Sequence, residues 1–400
     1  MAGPEPFRIA VADEVLADLR DRLGRTRWPA MLHGGGWQLG MDPAYLRELL
    51  DYWRDGFDWR AQEERLNAYP QFRLDVDGAP IHFARLRPAT RPATPAILLL
   101  HGWPYTFAEL LELADRLAEP ERFGLAPGEA FEVVVPSLPG YIFSGLPERP
   151  FAWRDAPRRF VELMAALGHQ RFIAHGSDIG GGLASRMAVQ FPDRLIGLHT
   201  TYPGVREPGD SPLSAAEQQM LAESERWEKE DAAYSYMQET RPATLAYGLT
   251  DSPAGLAAWI VEKLREWTDL QPDGDLERVW SKERTLTLLT LYWVTGSIGT
   301  SFMAYYENMN DPAPKRWQPT DVAAAFTIFA NDISAPPREW ADRGYRNIVR
   351  WTEITRGGHF PAVESVDLLA DEIRAAAGAF RQRQPAVSAA GEALAGHSDG

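Results

Sequence analysis

Phe172-Ile173-Ala174-His175-Gly176-Ser177-Asp178-Ile179-Gly180-Gly181 is the stretch on which the fold turns. A short apolar run reads as a buried strand, a turn of small residues follows, and residues 181–191 continue at helical spacing. Strand, sharp strained turn and helix together form the layout that lifts a nucleophile above the end of a sheet. Backbone segments crowd at such a turn, so the positions two before and two after the nucleophile must be small. Centred on Asp178, those positions hold Gly176 and Gly180; centred on Ser177, they hold His175 and Ile179, which are too large. The frame therefore selects a carboxylate over a hydroxyl. Taken alone, the turn also fits a Gly-rich loop in which Asp178 only caps a helix.

Outward from this turn the same rhythm repeats. Residues 96–100 and 131–135 are short apolar runs, and amphipathic stretches at 107–117 and 158–167 lie between them and the turn. Alternation of buried strands with helices predicts a mostly parallel sheet covered by helices on both faces. From 206 to 320 the strand signal stops, and helical stretches take over at 214–238, 254–267 and 285–306, with Asp251-Ser252-Pro253 as a helix start. Strand-like runs resume at 325–330 and 348–354, and 366–380 reads as a closing helix. Upstream, 11–25 and 44–53 show helical spacing, and Asp77-Gly78 between alternating segments predicts a hairpin. The expected organisation is an N-terminal helical and hairpin extension (1–92), an α/β core (93–205), a helical lid inserted into it (206–320), the rest of the core (321–383) and a disordered Ala/Gly/Ser-rich tail (384–400).

A carboxylate nucleophile attacks an electrophilic sp³ carbon and forms an alkyl ester. Water must then attack that ester, which requires a base and donors for the oxyanion. His101-Gly102-Trp103-Pro104 directly follows the first core strand, so the backbone N–H groups of Trp103 and Ile179 are the expected oxyanion pair. His33-Gly34-Gly35-Gly36 imitates a lipase oxyanion string but precedes any core strand, and reads as a loop. Of eight histidines, His359 in Arg356-Gly357-Gly358-His359-Phe360-Pro361 follows a strand and precedes the last helix, the chain position of a catalytic base after nucleophile and acid. Asp332, behind the strand at 325–330, is the expected orienting acid, with Glu353 and Glu364 as rivals.

Composition narrows the partners. The 400 residues carry a net charge of −15 without a basic stripe, which argues against nucleic acid and anionic membranes. With no cysteine there are no disulfides and no thiol nucleophile, and no apolar run nears the length of a membrane span. No histidine cluster has metal-ligand spacing, so neither metal nor cofactor is expected. A cytoplasmic location fits, and oligomeric state is open, with room for a homodimer.

The leaving group separates the reactions open to this nucleophile. Epoxide opening yields an alkoxide that needs a proton donor, whereas a halide is better held by N–H donors such as an indole. Tyr234, Tyr236, Tyr247, Tyr292, Tyr305 and Tyr306 in the helical insertion could each donate, and Ile179 offers no side-chain N–H. With these residues in view, the chain from about residue 5 to 380 resembles the microsomal-type epoxide hydrolases, in particular their soluble fungal and bacterial members. The resemblance rests on Trp37-Gln38-Leu39-Gly40, Tyr52 to Trp59, His101–Pro104, Ser137-Leu138-Pro139-Gly140-Tyr141, Gly176–Gly180, Tyr292-Trp293 with Tyr305 and Glu307-Asn308, and Gly357–Phe360. It implies the α/β-hydrolase fold, Tyr234 and Tyr305 as the catalytic tyrosines (Tyr236 and Tyr306 lie close enough to blur that choice), Asp332 as the acid and a small hydrophobic epoxide as substrate. A detoxifying or a biosynthetic role would fit. A haloalkane dehalogenase with the same nucleophile, a non-catalytic ligand-binding member of the fold and a serine esterase using Ser177 are the rival readings.

Overall fold

The computed structural model describes residues 3–30, 36–89, 94–125, 130–148, 151–204, 211–270, 274–312 and 318–382. His33–Gly35 of the lipase-like string and the tail at 384–400 lie outside these residues.

Among the described residues one sheet of nine strands organises the fold, in the order β1-β2-β3-β5-β4-β6-β7-β8-β9. Its first strands, β1 (Glu5–Phe7), β2 (Gln71–Val76) and β3 (Ala79–Leu86), are antiparallel, and β3 is also antiparallel to β5 (Phe131–Pro136). From β5 onward the pairing is parallel, through β4 (Thr94–Leu100), β6 (Phe172–Gly176), β7 (Leu195–Thr200), β8 (Ala324–Phe329) and β9 (Ile348–Ile354). Every residue of β5, β6 and β8 is buried, as expected for strands covered on both faces. The β2–β3 turn is the one predicted: Asp77 and Gly78 have φ of 56° and 78°, the two left-handed residues of a tight hairpin turn.

Helices Leu111–Ala118 and Val366–Gln382 pack together, as do Ala156–Ala166 and Asp178–Gln190. The chain between β7 and β8 forms six α-helices among the described residues: Ala215–Glu230, Ala233–Thr240, Pro242–Asp251, Pro253–Trp267, Lys282–Thr295 and, after the single turn Ile298–Ser301, Met303–Asn310. Counting that turn, there are seven. The N-terminal helices Asp13–Gly24, Pro43–Asp55 and Trp59–Asn67 pack on this segment, and the buried Trp53 indole donates to Thr290 Oγ1 at 2.9 Å.

Some expected elements are divided. The stretch 214–238 breaks at Asp231, whose carboxylate bonds to side chains around it, and 285–306 breaks at Gly296, a left-handed C-cap with φ 62°. The stretch 107–117 starts as a 3₁₀ turn, Phe107–Leu110, capped by Thr106 and Glu109. Strand β7 carried no sequence signal, because its apolar run Leu-Ile-Gly-Leu ends in His199 and Thr200.

Candidate active site

Asp178 sits at the first position of its helix with φ 51°, a conformation a non-glycine residue adopts only under constraint. The surrounding glycines show what the constraint is. A Cβ on Gly180 would lie 2.1 Å from the Leu100 carbonyl oxygen, one on Gly176 2.3 Å from the Gly180 carbonyl carbon, and one on Gly102 2.2 Å from Asp178 Oδ1. The turn therefore wedges against the end of β4, and all three positions exclude a side chain. Ser177 is buried beneath it, while Asp178 lines the cavity above.

The two carboxylate oxygens of Asp178 have different surroundings. Oδ1 accepts the Trp103 backbone N–H at 2.8 Å, and Oδ2 lies 3.5 Å from His359 Nε2. His359 Nδ1 is 2.6 Å from Asp332 Oδ1, and since a carboxylate can only accept, Nδ1 carries the proton. Nε2 is buried without a hydrogen-bond partner and is directed at Asp178. Burial works against charging this ring, but Asp332 and Asp178 outweigh it and hold the His359 pKa up at about 10. Ile179, next along the helix from Asp178, lines the same cavity.

The loop bearing Trp103 is fixed from below. His101 Nε2 accepts the Leu138 N–H at 3.0 Å, and its Nδ1 is 2.9 Å from the Gly102 carbonyl. Burial depresses the His101 pKa to about 4, so this imidazole stays neutral and anchors the 137–141 loop. The loop bearing His359 is fixed from the side. Its own N–H donates to the Trp267 carbonyl at 2.9 Å, and Gly357 N–H donates to the Asp269 carboxylate at 2.7 Å. Glu364 accepts from the N–H groups of Gly358, Phe360 and Asp269 at 2.8, 2.8 and 2.9 Å. That occupies the first rival for the acid, and Glu353 bonds instead to the Trp351 indole on β9. Asp332 alone of the three meets the imidazole.

Above Asp178 lies a cavity of about 640 Å³, within the usual size for a small-molecule site. Tyr234 and Tyr305 line it together with Asp178, Ile179 and His359. Tyr236 and Tyr306 are 49% and 37% exposed, Tyr247 is 82% exposed, and Tyr292 is fully buried outside the cavity lining. The geometry thus separates the two tyrosines named by the resemblance from their sequence neighbours. The Tyr234 ring stacks on Trp103 at 5.2 Å with an interplanar angle of 11°, and meets Tyr305 edge-on at 6.4 Å. Burial drives both phenols well above their ordinary pKa, which keeps them protonated as donors.

Trp267 and Asp269 carried no signal in sequence, because their contacts depend on where the end of helix Pro253–Trp267 meets the His359 loop. Among the described residues no group of three or more His, Asp or Glu is arranged to hold a metal ion, and no helix is long and apolar enough to cross a membrane.

Residues 4–110 match the family model described as the epoxide hydrolase N terminus, and residues 97–372 match that of the alpha/beta hydrolase family. Epoxide hydrolase 1 of Oryctolagus cuniculus is 35% identical over 400 residues, covering 92% of this chain and 87% of that one. The crystal structure of juvenile hormone epoxide hydrolase from the silkworm Bombyx mori superimposes with a TM-score of 0.87 at 30% identity over 96% of each chain. The Aspergillus niger epoxide hydrolase gives 0.82 at 31% identity, over 94% of this chain and 96% of that one. With sequence and backbone matched along nearly its whole length, the chain belongs to the epoxide hydrolase family of α/β-hydrolase enzymes.

Proposed function

We propose that the protein converts an epoxide to a vicinal diol in two steps, with Asp178 as nucleophile and His359 as base. In the first step Asp178 Oδ2 attacks one ring carbon from the back, the C–O bond breaks, and Tyr234 or Tyr305 gives its proton to the leaving oxygen. Asp178 is now a neutral ester, so one of the two charges holding the His359 proton is gone. That proton passes to the phenolate, which restores the tyrosine and frees Nε2 as an acceptor. In the second step Nε2 takes a proton from water, and the hydroxide adds to the ester carbonyl. The N–H groups of Trp103 and Ile179 hold the oxyanion. Collapse expels the diol, whose oxygen takes the proton of the nascent carboxylic acid. Asp178 returns as a carboxylate and His359 as an imidazolium.

One observation carries this reading: Trp103 N–H, Asp178, His359 and Asp332 are joined at hydrogen-bonding or near-contact distances beneath a cavity that also exposes two phenols. The substrate is a small, largely hydrophobic epoxide, and the helical segment between β7 and β8 acts as the lid, with 1–92 and the two core segments as the other units.

Two experiments test it. A single turnover of styrene oxide in heavy-oxygen water should leave the first diol unlabelled and place the label in Asp178. His359→Gln should accumulate one equivalent of alkylated protein, seen as a mass increase of one substrate. A labelled first diol, or no adduct on the variant, would overturn the mechanism. Halide release from chloroalkanes without diol from epoxides would favour a dehalogenase instead.

A further inference from the structure

Lys263 lies near the end of helix Pro253–Trp267, with its side chain 7% exposed. An ammonium group so buried must be paired. It donates to Asp231 Oδ1 at 2.5 Å, and Glu262 Oε2 lies 3.0 Å away. The same ammonium is 5.1 Å from the centroid of the Tyr234 ring and 5.9 Å from that of Trp267, both within cation–π range. Asp231 Oδ2 meanwhile accepts the indole N–H groups of Trp227 and Trp267 at 3.1 and 2.9 Å. Asp231 ends one helix, and Tyr234 lies in the first turn of the next. Trp267 packs on the Tyr234 ring at 5.0 Å.

The anionic groups acting on the Tyr234 phenol are Asp178, Asp231 and Glu239, and each opposes its ionisation, while Tyr305 favours it through a hydrogen bond. Asp178 must be charged to react, and it loses that charge on alkylation. The Asp231 charge persists through the cycle, so its compensation has to come from the protein. Lys263 is in contact with both Asp231 and the ring.

We propose that Lys263 is a positioning residue for the acid step: paired with Asp231, it cancels that carboxylate's charge beside Tyr234 and fixes the ring between Trp103 and Trp267, so that the phenol can release its proton to the opening epoxide. The inference rests on the reading of Tyr234 as an acid.

The test is single-turnover kinetics with styrene oxide, following alkylation and ester hydrolysis as separate phases of intrinsic tryptophan fluorescence. Lys263→Met should slow alkylation severalfold, up to about tenfold, because the uncompensated Asp231 charge makes the phenol a weaker acid, and leave ester hydrolysis unchanged. Lys263→Arg should recover most of the loss. Adding Asp231→Asn to Lys263→Met should also recover part of it, because the carboxylate that opposes ionisation of the Tyr234 phenol is gone while Glu262 is not among the groups acting on that phenol; a purely structural pair would give the opposite result. In a Tyr234→Phe background, Lys263→Met should have no further effect on alkylation. Alkylation at the normal rate in Lys263→Met, equal slowing of both phases, or a double variant slower than Lys263→Met would overturn the proposal. If Tyr234→Phe itself alkylates normally, the fault lies with the role of Tyr234 rather than with Lys263. Should Lys263→Met fail to fold, Asp231→Asn alone removes that carboxylate's charge beside the phenol and leaves Lys263 paired with Glu262. Alkylation should then be no slower than in the unsubstituted protein, and a loss of about tenfold or more would reject the idea.

Discussion

Replacing Asp178 by Asn should make His359 much easier to deprotonate. The ring nitrogen Nε2 lies 3.5 Å from Asp178 Oδ2 and the ring is buried, so the carboxylate's charge is poorly screened. At an effective dielectric of about 20, two unit charges at that distance attract by roughly 5 kcal/mol. The Asp178 side chain is 22% exposed, and solvent there reduces the interaction to about 3 kcal/mol, equivalent to about 2 in pKa. The His359 pKa should therefore fall from about 10 to roughly 8, still held up by Asp332. Asparagine keeps the shape of Asp178, so the Trp103 contact survives while the charge is lost. The assay is an NMR titration of the His359 ring in both proteins, with intact mass confirming that asparagine persists. If His359 titrates at the same pH in both, Asp178 is not what holds its proton, and the proposed freeing of the base by alkylation fails.

Tyr234→Phe and Tyr305→Phe should each reduce diol formation by about 10² to 10⁴ if that phenol is the acid, whereas Tyr236→Phe and Tyr306→Phe, on the exposed side, should stay within about twofold in the same product assay. Gly102→Ala should leave the circular dichroism spectrum intact but lower turnover by about 10² or more, since its methyl group would displace the Asp178 oxygen from the Trp103 N–H. Glu364→Ala strands three N–H groups that bind the base loop; with about 1 kcal/mol lost for each, denaturant melts should show about 3 kcal/mol of destabilisation, and Glu364→Gln less. The raised pKa of His359 also predicts a stability trend. Its contribution is complete below the unfolded pKa of about 6.5 and is lost as pH rises toward 10, so the melting temperature should decline across that window and decline less in His359→Gln.

The turn at Asp178, the loops that carry Trp103 and His359, and the approach of His359 to Asp178 were legible because each depends on local chemistry. Gly176 and Gly180 are forced by backbone contacts within a few residues or with the adjacent strand, and a frame of small residues records that in the sequence. Asp332 could be placed by topology, since it follows β8, but only the fold shows Glu364 engaged by three backbone donors while Asp332 meets the imidazole. Tyr234 and Tyr236 are two residues apart on one helix and so point in different directions, yet which faces the cavity depends on the break at Asp231. That break was not legible, because no glycine or proline marks it. Strand β7 was missed for a related reason: its polar end is buried in the sheet, where His199 bonds to His175 and Thr327 rather than to water.

Helix Pro253–Trp267 joins the two halves of the proposed chemistry. Its Lys263 contacts the Tyr234 ring, and four residues later, one turn along the same face, the Trp267 carbonyl receives the His359 N–H. The Trp267 ring touches both partners, at 5.0 Å from Tyr234 and 5.2 Å from His359. The proposed acid and base, Tyr234 and His359, therefore share one rigid support, and a shift of this helix would displace both. The N-terminal helices Asp13–Gly24 and Pro43–Asp55 pack on that same helix from outside. The N-terminal extension thus buttresses the element that spaces Tyr234 from His359, although none of its described residues lines the cavity. Loosening its packing, for example by Leu50→Ala at a fully buried position on Pro43–Asp55, should cost about 2 to 5 kcal/mol of stability. If the support argument holds, it should also slow alkylation and hydrolysis together. Slowing of one phase alone would mean that acid and base are held independently.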